Sequence, residues 1–140
     1  LGLPSLSVMS TDVKAAEESF TPASTGDIPN EKAGFAYLQG PDFSFSRKGA
    51  AYIAAAINHE SAWRGNRDWP EVAGDGTNRN GGLISWASWS HDSARLGAIE
   101  RHFGKNIAEI PESEQLKYME MEMKNHYKSA YRIFQNPKLF

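Results

Sequence analysis

The chain has 140 residues, of which 40% are hydrophobic and 23% charged, and its formal net charge at pH 7 is -2. These values are ordinary for one globular domain with a core of its own, and the charge argues against nucleic acid as the main partner, because phosphate binding needs a clustered positive surface. The absence of cysteine excludes disulfide bonds and thiolate metal sites, and no apolar run approaches the ~20 residues that span a membrane.

The N-terminal segment, residues 1–46, is predicted to be an extension or linker. Gly, Pro, Ser and Thr are frequent in it, and its apolar residues keep no long period. A short helix is expected at residues 11–20 and a loop at residues 21–30. The segment is either flexible throughout or packed in part on the domain through five large apolar side chains. These are Phe35, Tyr37, Leu38, Phe43 and Phe45.

Residues 47–140 are predicted to form the catalytic domain, which begins with a long helix. Ser46 can cap a helix over residues 47–63, and the alanines of that stretch favour helix. Because residues 50–57 are apolar all round, this helix is expected to be central and buried. Its C-terminal end, which carries Glu60, is expected to open toward the surface.

The other elements of this domain follow from periodicity and turn residues. Residues 64–92 have no helical period, and a short hairpin is expected around residues 81–86. Helices are expected at residues 93–103 and 113–134, where apolar side chains recur at helical spacing. The predicted fold class is mainly α, of α+β type: a buried central helix, a glycine-rich loop or short hairpin, and two or more packed helices.

One carboxyl group and a cluster of aromatic rings indicate where chemistry could occur. Glu60 stands at the end of the apolar helix, and all four tryptophans follow it in a stretch that is 27 residues long. A carboxyl group held against apolar surface can keep its proton near neutral pH, and flat rings with polar edges suit the walls of a sugar-binding cleft. These features together indicate acid-catalysed cleavage of a glycosidic bond. The four rings are those of Trp63, Trp69, Trp86 and Trp89.

Each of these residues also has a purely structural interpretation. Glu60 could be an exposed carboxylate at a helix end, or the ion-pair partner of Arg64 one turn later. Any single tryptophan could belong to the core. The concentration of tryptophans in a loop-rich segment favours a cleft wall for at least two of them.

Two aspartates are candidates for the second carboxylate that many glycosidases use as nucleophile or base. Asp68 and Asp75 both follow Glu60 in the loop-rich segment, and Thr77 could position a water molecule. All three have an alternative role as turn residues, because short polar side chains bond the backbone in loops.

No metal or cofactor is expected. His59 and Glu60 begin like a zinc-protease motif, but the second histidine would have to stand where the chain has Trp63. No serine lies in a nucleophile elbow, and no Lys-Ser or Lys-Thr pair follows the glycines as it would in a phosphate loop.

Four short motifs resemble, in order and spacing, those of the phage tail lysozymes, a family within the lysozyme-like superfamily. They are an Ala-rich helix ending in Glu-Ser at residues 54–61 and a Gly-Leu-x-x-Trp segment within residues 81–86. An Arg-x-x-x-Ile helix at residues 95–99 and a Gln-Leu-x-Tyr helix at residues 115–119 follow them. The resemblance covers about residues 48–136.

The resemblance implies a helical lysozyme-like fold in which Glu60 is the catalytic acid and bacterial peptidoglycan is the substrate. The bond cut would join N-acetylmuramic acid to N-acetylglucosamine, and the four tryptophans and Ser85 would contact the glycan. Ser85 stands where the family usually has glutamine, so one expected polar contact differs.

The same resemblance implies a location in the virion or in the bacterial cell-wall compartment, with other virion or tail components as further partners. Two alternatives to a hydrolytic lysozyme stay open. One is a lytic transglycosylase, in which the muramic 6-hydroxyl attacks and an anhydro sugar forms. The other is a non-catalytic glycan-binding or structural module of a virion with a degenerate lysozyme fold.

Overall fold

The computed structural model describes residues 20–70, 79–87, 93–136 and 138. Within these ranges the chain is mainly helical, with a small antiparallel sheet of three strands in the order β1-β2-β3. The prediction of a mainly α fold with a small β element is confirmed at that level. The elements are α1 (Glu31–Leu38), α2 (Arg47–Ser61), β1 (Asp68–Pro70), β2 (Arg79–Gly81), β3 (Trp86–Ala87), α3 (Ser93–Phe103), a 3-10 helix (Ile107–Glu109), α4 (Glu112–His126) and α5 (Lys128–Gln135).

Helix α2 is the predicted long helix, but only one side of it is buried. Ser46 caps it as expected, since its side chain accepts a hydrogen bond from the Gly49 N–H. Ile53 and Ile57 face the core, whereas Tyr52 is exposed, so the expectation of burial all round is wrong. The outward alanines therefore favour the helical backbone itself rather than filling a core.

The predicted hairpin and the helix at 93–103 are both present. Strands β2 and β3 pair antiparallel across a turn at residues 82–85. Helix α3 ends before Gly104, whose φ of 64° is a backbone conformation that glycine adopts without strain. Strand β1 was not predicted, and it adds a third strand by pairing with β2.

The single helix predicted at 113–134 is instead two helices, α4 and α5, separated at Tyr127. The backbone there has φ -134° and ψ 55°, which no α-helix allows. The break lets α5 reach the start of α2, where the Ser46 N–H donates to the Phe134 carbonyl at 2.8 Å. Gly49 lies so close that an added Cβ would sit 2.1 Å from the same carbonyl oxygen. Only tertiary contact explains this break.

The N-terminal segment contributes to the same hydrophobic core. Helix α1, which was not predicted, packs on α2. Gly34 on α1 leaves room for the Trp63 ring, because a Cβ at this position would lie 2.1 Å from a carbon of that ring. Of the five side chains expected to pack, Tyr37, Leu38 and Phe45 are buried, and Phe35 and Phe43 are partly buried against the core. The helix predicted at 11–20 lies, apart from its last residue, outside the described residues.

Residues 21–30 form a loop, as predicted, but the interpretation of this stretch as only a linker is wrong at Ile28. Its side chain is buried in the core. Its N–H donates to the Glu112 carboxylate at 2.7 Å, and the Gly65 N–H donates to the other oxygen at 2.7 Å. Burial raises the pKa of Glu112, while the two backbone hydrogen bonds oppose that effect. Glu112 thus fastens the N-terminal loop to the domain.

No helix within the described ranges is long and apolar enough to cross a membrane.

Candidate functional site

Glu60 lines an apolar groove on the surface of the domain. The groove has a volume of about 240 Å³, and its walls are formed by α2 on one side and by α4 and α5 on the other. Glu60 lies in the last turn of α2, and its side chain is exposed. This feature, called the Glu60 groove below, is lined by Tyr52, Ile53, Ala56, Ile57, Glu60, Ile84, Arg95, Met119, Glu122, Met123, Tyr127 and Phe134.

The α2 wall of the groove arises from helical spacing. Tyr52, Ala56 and Glu60 are four residues apart, so they form one stripe along the helix. Eight residues of helix cover ~12 Å at 1.5 Å per residue, which is the length over which this wall extends. The opposite wall depends on the α4–α5 break, because it turns Phe134 back toward Tyr52, and the two rings stack with centroids 5.4 Å apart.

The end of α2 is shaped by two residues in left-handed backbone conformations. Ala62 has φ 53° and Trp63 has φ 58°, which for residues other than glycine costs roughly 1 kcal/mol or more each. The turn sends the Trp63 side chain back under the helix, where its indole N–H donates to the Ala54 carbonyl at 3.0 Å. Trp63 is only 3% exposed and belongs to the core, so the expectation that it forms a wall of the site beside Glu60 is wrong.

The hairpin turn lies directly against Glu60. The Ser85 hydroxyl donates a long hydrogen bond, 3.5 Å, to the backbone carbonyl of Glu60. Ser85 itself has φ 54°, a strained conformation that the turn imposes. Ser85 thus lies beside Glu60, although the contact is to the backbone of Glu60 and not to its carboxyl group.

Trp86 belongs to the hydrophobic core and does not line the groove. It is 0% exposed, and its indole N–H donates to Glu122 at 3.1 Å, so the expected contact of Trp86 with a glycan is wrong. Arg95 binds both oxygens of the same buried carboxylate, at 2.9 and 2.7 Å. Its guanidinium also lies 5.5 Å from the centre of the Tyr127 ring. Glu122 thus joins the hairpin, α3 and α4 in one ion-paired cluster.

A second buried polar residue holds the hairpin from the other side. Gln115 on α4 accepts a hydrogen bond from the Leu83 N–H at 2.8 Å. Its amide nitrogen donates to the carbonyls of Gly65, at 2.8 Å, and Ile110, at 2.9 Å. The four sequence motifs therefore meet in space, because Glu122 and Gln115 tie the hairpin to α4 beside the end of α2.

Asp68 is held in a structural ion pair and does not line the Glu60 groove. Its carboxylate accepts from Arg79 at 3.0 Å, and Arg79 also binds Glu100 at 2.8 Å. The hydrogen bond to Glu100, and to a smaller extent the one to Asp68, raises the pKa of Arg79 above its ordinary value. The interpretation of Asp68 as a catalytic carboxylate is therefore not supported by its surroundings.

Four predicted site residues have no described side chain. Asp75, Thr77 and Trp89 lie outside the described residues, and for Trp69 only the backbone position in β1 is described. Conversely, the prediction overlooked Tyr52, Tyr127 and Glu122 as groove residues. The sequence did contain a signal that Gln115 and Glu122 are buried. They are seven residues apart, on the face of α4 that also carries its buried apolar residues. A polar residue on such a face needs a buried partner.

A larger cavity of about 380 Å³ lies elsewhere, between the loop that precedes α1 and the start of α4. Its most buried carboxylate is Glu112, and both oxygens of that group already accept backbone N–H groups. The Glu60 groove combines an exposed carboxyl group with apolar walls and is therefore the better candidate site. Among the described residues, no cluster of histidine and carboxylate side chains could hold a metal ion.

No protein-family model matches the chain, and no curated protein or solved structure does so either.

Proposed function

We propose that this protein cleaves the glycosidic bond between N-acetylmuramic acid and N-acetylglucosamine in bacterial peptidoglycan, with Glu60 as the general acid. One observation carries the proposal: an exposed carboxyl group at a helix end lines an apolar groove. The resemblance of the four motifs to those of phage tail lysozymes supports a lysozyme-like fold. It also supports a place of action in the virion or the bacterial cell wall.

In the proposed reaction Glu60 donates its proton to the glycosidic oxygen as the bond to the sugar ring breaks. General acid catalysis of this kind is typically worth ~10²–10⁴-fold in rate. The surroundings hold the backbone that carries the acid, because Ser85 bonds the backbone carbonyl of Glu60 and Trp63 anchors the turn that ends its helix. Such supports matter, since catalysis depends on a group held in the productive geometry.

The nature of the product depends on a second carboxylate. Asp68 and Glu122 are each held in an ion pair with an arginine, at 3.0 Å and 2.7 Å. Their engagement supports the transglycosylase route, in which the muramic 6-hydroxyl attacks and an anhydro product forms. A hydrolytic route would use Asp75, either as nucleophile or as the base that activates water.

A second candidate function is a non-catalytic glycan-binding or structural module of a virion. The exposure of Glu60 to solvent supports it, because a general acid is more often sequestered from water. This module would use the same groove for the same ligand, and it would leave the glycan intact.

The test is mass spectrometry of purified peptidoglycan after incubation with the protein and with Glu60→Gln. The amide has nearly the same shape as the acid and cannot donate the proton, so we expect activity to fall at least ~10²-fold while the melting temperature is kept. Glu31→Gln, the same change at an exposed site on α1, is the matched control and should keep full activity.

The fragments also report the route, because hydrolysis gives reducing ends and transglycosylation gives anhydro ends. Near-normal cleavage by Glu60→Gln would contradict the assignment of the acid. Binding of glycan without any cleavage by the unaltered protein would favour the non-catalytic module.

A further inference from the structure

The exposed aromatic side chains of the groove are tyrosines. Tyr52 is 57% exposed and Tyr127 is 42% exposed. Within the described part of the chain, the large hydrophobic side chains that stay exposed are these two, Met121 and Ile133. Both tyrosines line the Glu60 groove, whereas Met121 and Ile133 do not. Exposed aromatic surface gathered at one cleft is typical of a ligand site.

Each tyrosine ring contacts a partner side chain that limits its motion. Tyr52 stacks on Phe134, with an interplanar angle of 29°. Tyr127 lies beside the guanidinium of Arg95, which Glu122 holds with two hydrogen bonds. Rings fixed in this way lose little conformational entropy when a ligand covers them.

The charges of the groove favour a ligand with apolar faces and polar edges. Arg95 and Glu122 neutralise each other, and the remaining lining is largely apolar apart from Glu60. A pyranose ring has such a form, with C–H groups on its faces and hydroxyl or acetamido groups at its edges. A tyrosine can pack its ring on such a face while its hydroxyl bonds to an edge.

We infer that Tyr52 and Tyr127 are the sugar-stacking residues of this protein, one on each wall of the Glu60 groove, and that they bind pyranose rings of the glycan strand. The identity of the glycan rests on the proposed function. The stacking role replaces the one expected for Trp63 and Trp86, which are buried.

The test measures binding of soluble, peptide-free glycan strands of alternating N-acetylglucosamine and N-acetylmuramic acid by calorimetry. Glu60→Gln serves as the background, so that the strands stay intact. We expect Tyr52→Ala and Tyr127→Ala each to raise Kd about twofold to tenfold, the range measured for aromatic ring pairs. Tyr52→Phe and Tyr127→Phe keep the ring and should keep most of the affinity.

Two further variants separate stacking from general damage. Met121→Ala removes an exposed side chain outside the groove and should leave Kd unchanged. Tyr127→Leu keeps apolar bulk without a flat ring, so it should weaken binding as much as Tyr127→Ala. The leucine variant provides the test if the alanine variant is too unstable to be measured. Equal affinity of the leucine variant and the unaltered groove would overturn the stacking role.

The outcomes distinguish this inference from the proposed function. Tyrosine-dependent binding without cleavage would uphold the stacking role and contradict the enzyme. Cleavage of the strands, together with a Kd that neither tyrosine substitution changes, would uphold the proposed enzymatic function and overturn the stacking role. Neither binding nor cleavage of the strands would overturn both, and tyrosine-dependent binding of an apolar peptide in their place would assign the groove to a protein partner.

Discussion

Replacing Gln115 by leucine should destabilise the elements that support the candidate site, because one buried amide makes close hydrogen bonds to three backbone groups and a longer one, 3.5 Å, to the Ile107 carbonyl. Leu83 N–H, Gly65 C=O and Ile110 C=O would lose partners that now lie at 2.8, 2.8 and 2.9 Å. A buried polar group without a partner costs ~1–3 kcal/mol. Three such groups would cost ~3–9 kcal/mol if none found water.

The expected loss is smaller than that sum but still large. The leucine side chain avoids the desolvation of the glutamine amide, and local opening would let water reach some of the three groups. We therefore expect a loss of about 3–5 kcal/mol in the free energy of unfolding. Domains have a total stability of only ~5–15 kcal/mol, so a drop of at least ~10 °C in Tm is expected.

Urea unfolding followed by circular dichroism would measure the change. Gln39→Leu is the matched control, because its amide donates to the Phe35 carbonyl at 3.1 Å in a partly exposed position. Water can replace that bond, so the control should lose less than ~1 kcal/mol. A loss of less than 1 kcal/mol for Gln115→Leu, with an unchanged denaturant slope, would refute the assignment of Gln115 as the support of the hairpin.

Three further predictions concern other supports of the fold. Arg95→Met leaves the Glu122 charge buried without its partner and should cost about 2–4 kcal/mol in urea unfolding, and adding Glu122→Met should recover part of the loss. The raised pKa of Glu112 means that the stabilisation linked to its protonation is fully present below its ordinary value of 4.5 and is lost as the pH rises through the raised value. The unfolding free energy of the unaltered protein, measured relative to that of Glu112→Gln, should therefore fall between pH 4 and 7. A chain that begins at Pro29 lacks the buried Ile28 and should be less stable than the full chain by at least about 2 kcal/mol in thermal melting, whereas an unchanged melting temperature would restore the linker interpretation.

The elements that could be predicted are those whose causes are local. The Ser46 cap, the alanine-rich stretch and the end of α3 before Gly104 depend on backbone preferences and neighbours a few residues away. The hairpin at 81–86 and the position of Glu60 at a helix end also followed from such local signals. Helix α1 was missed because its eight residues lie next to loop-like sequence and show no strong apolar period.

Which aromatic rings are buried was decided only by the tertiary structure. The sequence predicts Trp86, and not Tyr127, as a cleft wall, yet Trp86 is 0% exposed and Tyr127 is 42% exposed. The difference comes from Glu122, which lies 36 residues beyond Trp86 and accepts its indole N–H. The break at Tyr127 likewise has no local signal, since it places Phe134 against Ser46, 88 residues away along the chain. A helix or turn forms from interactions within a few residues, whereas the burial of a side chain depends on distant segments that reach it only when the whole chain has folded.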